Sequence, residues 1–221
     1  MFEFSVSGRD FNHPVLGEIN LSFEPGETVC LLGPSGCGKT TLLNILSGLD
    51  KGYQQSVWRG PEPEIGYLFQ QPRLLPWRTV LDNLKLVSKD SQKIQRLLQE
   101  VGLADVMHQF PDKLSLGMAR RVALVRCLLL APDLILMDEP LVSLDPAMAR
   151  QVRALISRLV VSDKQRHLLY VTHDLNEALE VADRILVLGG QPACIVAQYR
   201  RGEVDVLTLE RALCLGSGAS V

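Results

Sequence analysis

A chain of 221 residues that is 47% hydrophobic carries enough apolar surface for the core of one or two domains. Its 22% charged residues leave a formal net charge of -2, so it lacks the basic stripe that a nucleic-acid binder sets against phosphates, and nucleic acid is not expected as a partner. The five cysteines (Cys30, Cys37, Cys127, Cys194, Cys214) are odd in number and scattered without Cys-x-x-Cys spacing, which fits a reducing cytoplasmic compartment. Met1-Phe2-Glu3-Phe4 opens without a basic stretch before an apolar core. No apolar run approaches the ~20 residues of a bilayer span, so the chain is expected neither to cross a membrane nor to be secreted.

In chain order, Phe2–Val6 and Ile19–Phe23 read as short strands between turn signals at Gly8, Pro14 and Pro25-Gly26, an antiparallel edge region. Val29–Leu32 is a strand-length apolar run, and a helix follows Gly38 with Leu42, Leu43, Ile45 and Leu46 on it. From Thr79 to Leu114 the pattern turns helical, with Ile94, Leu97, Leu98 and Val101 at helix spacing and Gly102 as a C-cap. A further helix is predicted from about Met118 to Leu130, with Val122, Leu124, Val125 and Leu128 on its apolar face and Pro132 as its stop. Asp133 restarts the chain as a strand, Leu134–Met137, and Asp145 caps a helix that begins at Pro146. Leu168–Val171 and Ile185–Leu188 are the last buried strands, and Gly189-Gly190 is a hairpin turn. Beyond it the pattern is weak and the end, Gly-Ser-Gly-Ala-Ser, is expected to fray. The alternation of strands and helices predicts an α/β fold with a mostly parallel sheet. One domain over 1–200 is expected, with a helical insertion at about 79–118 and a short tail, 201–221.

Gly33-Pro34-Ser35-Gly36-Cys37-Gly38-Lys39-Thr40 matches the G-x-x-x-x-G-K-[ST] pattern, after a strand and before a helix, as its mechanism requires. Glycines let backbone N–H groups turn around phosphates, Lys39 reaches the terminal oxygens and Thr40 can hold Mg2+. Cys37 occupies a free position of the pattern and is expected to contribute a backbone N–H. Leu134–Met137 delivers Asp138 and Glu139 at the end of a buried strand, where α/β sheets place their ligands. An acidic pair after an apolar run also occurs in solvated loops. Beside a phosphate loop, Asp138 suits support of Mg2+ through its water shell and Glu139 suits polarising the water that attacks a γ-phosphate.

A phosphate loop alone leaves kinases, GTPases, helicases and transport ATPases open. Leu114-Ser115-Leu116-Gly117-Met118, about 20 residues before the acidic pair, resembles the LSGGQ signature of ABC ATPases. Gln70 after Ile65-Gly66-Tyr67-Leu68-Phe69 is similar to the family's Q-loop glutamine, Ser143-Leu144-Asp145 to its D-loop, and His173 to its switch histidine. The six landmarks stand in the family's order over nearly the whole chain, up to about Tyr199. This resemblance implies a P-loop NTPase core whose helical insertion carries the signature, with ATP and Mg2+ as ligands and hydrolysis of ATP as the activity. It implies a head-to-tail dimer of two copies in which Ser115, the Gly117 backbone and Asp145 complete the site formed by residues Gly33 to Thr41 of the other copy. By the same resemblance Gln70 senses Mg2+ and the attacking water, His173 stabilises the γ-phosphate, and Phe11 stacks on adenine, although Phe11 serves equally as a core residue.

Three departures limit the transfer. Leu116 and Met118 replace a glycine and a glutamine of the signature, the stretch from Lys39 to Gln70 is short for the family, and no regulatory domain is expected after the core. Leu116 is expected to point into the helical insertion with only its backbone facing the partner's ATP; on the rival reading it has disabled closure. Leu74-Leu75-Pro76-Trp77 lies where the family receives its membrane subunit, and burial within the domain is the competing reading. Together these features resemble the ATPases of bacterial nitrate, sulfonate and taurine importers. They imply a peripheral subunit on the cytoplasmic face of the inner membrane, bound to a transmembrane permease and served by a substrate-binding protein. An ABC-type repair clamp is disfavoured, because Lys39 and Leu114 are only 75 positions apart and leave no room for a long coiled coil. A small-molecule P-loop kinase explains neither the signature nor His173.

Overall fold

The computed structural model describes residues 1–52, 56–161 and 166–216. Strand β1 (Phe2–Val6), the short β2 (Arg9–Asp10) and β3 (Pro14–Leu16), and β4 (Ile19–Phe23) open the chain. β1 pairs antiparallel with β4, and β2 with β3 as a two-stranded ribbon. After β5 (Thr28–Leu32) comes β6 (Ser56–Arg59), which the sequence reading did not anticipate; it pairs with the free edge of β1 and completes a three-stranded sheet.

The main sheet combines β5 with β7 (Ile65–Leu68), β8 (Leu134–Asp138), β9 (His167–Thr172), β10 (Arg184–Gly189) and β11 (Cys194–Arg200). Its order is β11-β10-β5-β9-β8-β7, parallel throughout except for β11, which returns antiparallel to β10 through the turn at Gly189-Gly190. Every residue of β5, β8, β9 and β10 is buried, which is why these strands read as continuous apolar runs. Alternate side chains serve opposite layers. Cys30, Leu32, Ile135 and Met137 face one apolar cluster, while Val29, Leu31, Leu134 and Leu136 face another with Leu42 and Leu43.

Helix α1 (Lys39–Leu46) starts at Gly38, whose φ of 105° lies in the left-handed region. The insertion holds α2 (Val80–Leu84), capped by the Thr79 hydroxyl, and α3 (Ser91–Glu100), capped by the Asp90 carboxylate. Gly102 follows α3 at φ 69°, with Leu103 N–H donating to Leu98 O at 2.8 Å, a left-handed stop of the expected kind. Helix α4 is Leu116–Leu129, so it starts two residues earlier than the sequence reading placed it. The cause is Ser115, whose hydroxyl oxygen accepts the Met118 N–H and caps the helix, bringing Leu116 and Gly117 into its first turn. Val122, Val125 and Leu129 of α4 pack with Val80, Leu84, Ile94 and Leu98, so the apolar centre of the helical lobe runs past position 118.

Helix α5 (Pro146–Ile156) is capped by Asp145 and α6 (Leu175–Val181) by Asp174. The region past 200 departs from its expectation as a loose tail. Val206–Gly216 forms α7, with Leu209 fully buried in the cluster that holds Met137 and Tyr170. The Gly216 carbonyl accepts the Gly190 N–H at 2.6 Å, docking the end of α7 on the β10–β11 turn. The helix packs on β10, β11 and α6, and these tertiary contacts, which the local pattern does not show, make it part of the core. Residues 217–221, where fraying was expected, lie outside the described residues. Leu209→Ala should destabilise the protein by roughly 2–5 kcal/mol, the usual cost of a large-to-small change in a core. Urea unfolding checks this, and a helix lying outside the core would leave the midpoint unmoved.

Candidate functional site

Register brings the motifs together. β5 pairs Leu32 with Thr172 of β9, β8 pairs Asp138 with Val171 of β9, and β7 pairs Leu68 with Met137 of β8. The four strands therefore end level, and the segments after them emerge side by side at the carboxyl edge of the sheet. These segments carry Gly33–Thr40, Glu139, His173 and Gln70, which are remote in sequence.

The phosphate loop is shaped by two glycines. A Cβ at Gly33 would lie 2.8 Å from both Cys37 Sγ and Leu188 O, and one at Gly38 would lie 2.6 Å from Leu16 Cδ2. Lys39 is only 6% exposed and its Nζ donates to Gly33 O at 2.8 Å and Pro34 O at 2.9 Å, which places the ammonium inside the curve of the loop. Burial pushes the Cys37 thiol up despite the nearby Lys39. Its N–H donates to Pro34 O at 3.3 Å. Beside the loop is a cavity of about 420 Å3 lined by His13, Val15, Ser35, Cys37, Gln191 and Gly216. Phe11 does not line it: the ring is 57% exposed with the Arg9 guanidinium 3.8 Å above it, so it is neither core nor part of this wall. His13, two positions on, is the ring that faces the loop, and no motif had marked it.

Thr40 Oγ1 donates to Asp138 Oδ2 at 2.9 Å, joining the loop to the acidic pair. Burial raises the Asp138 carboxyl above its ordinary value; the Thr40 hydroxyl and Lys39 oppose that rise and Glu139 adds to it. Glu139 sits in a left-handed backbone conformation, φ 46°, which turns the chain sharply after β8 and aims consecutive carboxylates differently. Its carboxylate is flanked by two of the landmark residues: His173 Nδ1 lies 3.2 Å from Oε1, and Gln70 Nε2 donates to Oε2 at 3.4 Å.

Ser115, Gly117 and Asp145 are not hydrogen-bonded to that cluster among the described residues. The Ser115 oxygen accepts from Met118 N–H, leaving its O–H free to donate, and Asp145 Oδ1 accepts from Ala147 and Met148 N–H. Leu116 is 43% exposed, which corrects its expected burial in the insertion. Ser115 and Leu116 stand at the helix start, where side chains splay into solvent. Gly117 is buried against α5, where a Cβ would lie 2.5 Å from Cγ and Sδ of Met148, so a side chain there would require that methionine to shift.

Trp77 is 72% exposed, so the burial reading fails for it. Its loop is nonetheless rigidly held by Asn83, itself fully buried. The Asn83 amide accepts Leu75 N–H at 2.7 Å and donates to the carbonyls of Leu75, Arg78 and Thr79 at 3.0–3.1 Å. A spacing of eight residues between a polar side chain and the loop it clamps is not a motif, so the sequence alone did not show it.

The family described as ABC transporter matches residues 16–142, from the end of β3 to just past Glu139. The chain belongs to the ABC transporter family. The aliphatic sulfonates import ATP-binding protein SsuB 2 of Pseudomonas syringae pv. tomato is 43% identical over 196 residues, covering 86% of this chain and 82% of that protein. SsuB 1 of Xanthomonas axonopodis pv. citri is 39% identical over 214 residues, covering 90% and 84%. Among solved structures, a dimeric ATP-binding cassette in a post-hydrolysis state bound to ADP and Pi superposes with a TM-score of 0.78 at 26% identity, covering 90% of this chain and 98% of that one. This cassette is therefore an ATP-binding and ATP-hydrolysing subunit of a transporter. Among the described residues no helix is long and apolar enough to cross a membrane. Lys39→Ala should lower ATP binding or turnover at least about tenfold, since among the described residues Lys39 is the cation held inside the curve of the loop. Nucleotide titration and a phosphate-release assay measure the two effects separately.

Proposed function

We propose that the cassette powers import of an aliphatic sulfonate or a related organic anion through a separate permease, working as a pair of identical subunits on the cytoplasmic face of the inner membrane with a substrate-binding protein supplying the solute. The relatives' names support the substrate class, and the exposed Trp77 on its clamped loop supports a docking point for the membrane subunit.

In this reading residues Gly33 to Thr41 hold the ATP phosphates through backbone N–H groups and Lys39. Mg2+ fits beside Thr40 and Asp138, whose hard oxygens already lie 2.9 Å apart, with Gln70 as a further donor. A cation there also offsets the burial that disfavours the Asp138 charge. The ion would supply charge neutralisation at the β- and γ-phosphate oxygens. The reading rests chiefly on Glu139, a carboxylate oriented from both sides by Gln70 and His173 at the strand edge beside the phosphate loop. Glu139 accepts a proton from the attacking water while Gln70 and His173 hold its orientation. Ser115, Gly117 and Asp145, unattached to the site of their own chain, close on the nucleotide of the second copy, with the N-terminus of α4 adding positive potential.

Glu139→Gln is expected to keep nucleotide affinity while slowing hydrolysis by roughly 10²–10⁴-fold, the range for loss of a positioned base. Single-turnover hydrolysis beside a binding titration tests it, and unchanged turnover would remove Glu139 from this role. Trp77→Ala should weaken co-purification with the permease and leave the ATPase of the isolated chain within about twofold, as expected for a surface contact remote from the chemistry. Unfolding of that variant would show that the tryptophan supports the fold instead.

A further inference from the structure

Arg120 occupies the middle of α4 and is only 5% exposed, yet no ion pair to a carboxylate is found for it among the described residues. Its Nη1 donates to Pro140 O at 2.9 Å, and its Nε, fully enclosed, has no partner. Burial lowers the guanidinium's pKa from its very high ordinary value, with Tyr170 nearby opposing that fall. A buried cation whose single bond goes to a neutral carbonyl is a costly way to join a helix to a loop, since an uncharged donor would serve packing as well.

The carbonyl that Arg120 grips belongs to the residue after Glu139. Glu139 holds a left-handed backbone conformation that most side chains avoid, and something must hold the peptides on either side of it. On the upstream side the Glu139 N–H donates to Val171 O at 2.9 Å. On the downstream side the Val142 N–H closes a turn onto Glu139 O at 3.2 Å, and Arg120 fixes the Pro140 carbonyl. The same helix begins at Ser115, five positions earlier, and six positions later its Arg126 donates to the Pro72 and Arg73 carbonyls, both at 2.9 Å, just past Gln70. Two arginines of one helix thus hold the backbone of both loops whose side chains meet at Glu139.

We propose that Arg120 is a positioning residue for Glu139, setting the catalytic carboxylate through the Pro140 carbonyl from the helix whose N-terminus meets the nucleotide of a second copy. This rests on the reading of Glu139 as the base and adds to it a path by which engagement of Ser115 adjusts the opposite end of the chemistry.

The test uses the full chain with ATP and Mg2+ and the variants Arg120→Met, Arg120→Lys, Glu139→Gln and Glu139→Gln/Arg120→Met. Arg120→Met is expected to lower kcat at least about tenfold while KM for ATP stays within about threefold, the split of an interaction made in the transition state. Arg120→Lys, which keeps a cationic donor on a flexible stem, should recover a large part of kcat, and it decides the matter if the methionine variant does not fold. In the Glu139→Gln background Arg120→Met should add little, because both changes act on one group. A full additional loss there, an effect on KM alone, or a lysine variant as slow as the methionine one would overturn the proposal. Wild-type turnover in Glu139→Gln alone would instead overturn the reading of Glu139 and this proposal with it, so the two failures are distinguishable.

Discussion

The arrangement depends on the pairing register at the carboxyl edge of the parallel sheet. Because Leu32 stands opposite Thr172, Asp138 opposite Val171, and Leu68 opposite Met137, the segments carrying the phosphate loop, the acidic pair, His173 and Gln70 leave the sheet at one level. A slip of one residue in any strand would move its side chains to the other layer and its loop by about 3.3 Å, enough to break the contacts around Glu139. The register is itself enforced by burial, since each of the central strands is apolar on both faces and can settle only where both layers are filled.

The two ends of the sheet use charge differently. At the amino end Arg184 Nε and Nη2 donate to the Glu27 carboxylate at 2.7 and 2.9 Å, tying the start of β10 to the residue before β5. Burial alone would raise the Glu27 carboxyl, but the Arg184 bonds outweigh it and hold it below its ordinary value. At the carboxyl end Asp138 is held above its ordinary value, with a hydroxyl and a carboxylate as its neighbours. The first pair is satisfied within the protein and stabilises the fold. The second gains from a cation and a phosphate, the ligands of an ATP-hydrolysing family. Behind His173, the buried Glu177 accepts from Thr172 Oγ1 at 2.6 Å and anchors the end of β9 to α6, so the histidine's position is set from inside the fold.

The signature segment forms the start of α4. Leu116 is partly exposed at the first turn of α4, next to the Ser115 oxygen that caps the helix, while a Cβ at Gly117 would meet the Met148 side chain. Helix α4 then serves three purposes along its length: capped by Ser115 at its start, bonded to the loop after Glu139 at Arg120, and bonded to the loop after Gln70 at Arg126.

Local sequence determined the buried strands, the phosphate loop, the cap at Asp145, the Gly102 stop, and the order of the family landmarks. Each of these depends on residues within a few positions of one another, where periodicity, glycine conformation and side-chain capping act directly. Tertiary structure alone decided that β6 joins β1, that α7 is core, that His13 rather than Phe11 faces the loop, and that Asn83 clamps the segment bearing Trp77. It also decided the role of Arg120, since an arginine on a helix reads as a surface charge until the carbonyl it meets, 20 positions away, is known. These features are pairings between distant segments, and their energy comes from burial and hydrogen bonds that exist only after the sheet has set its register.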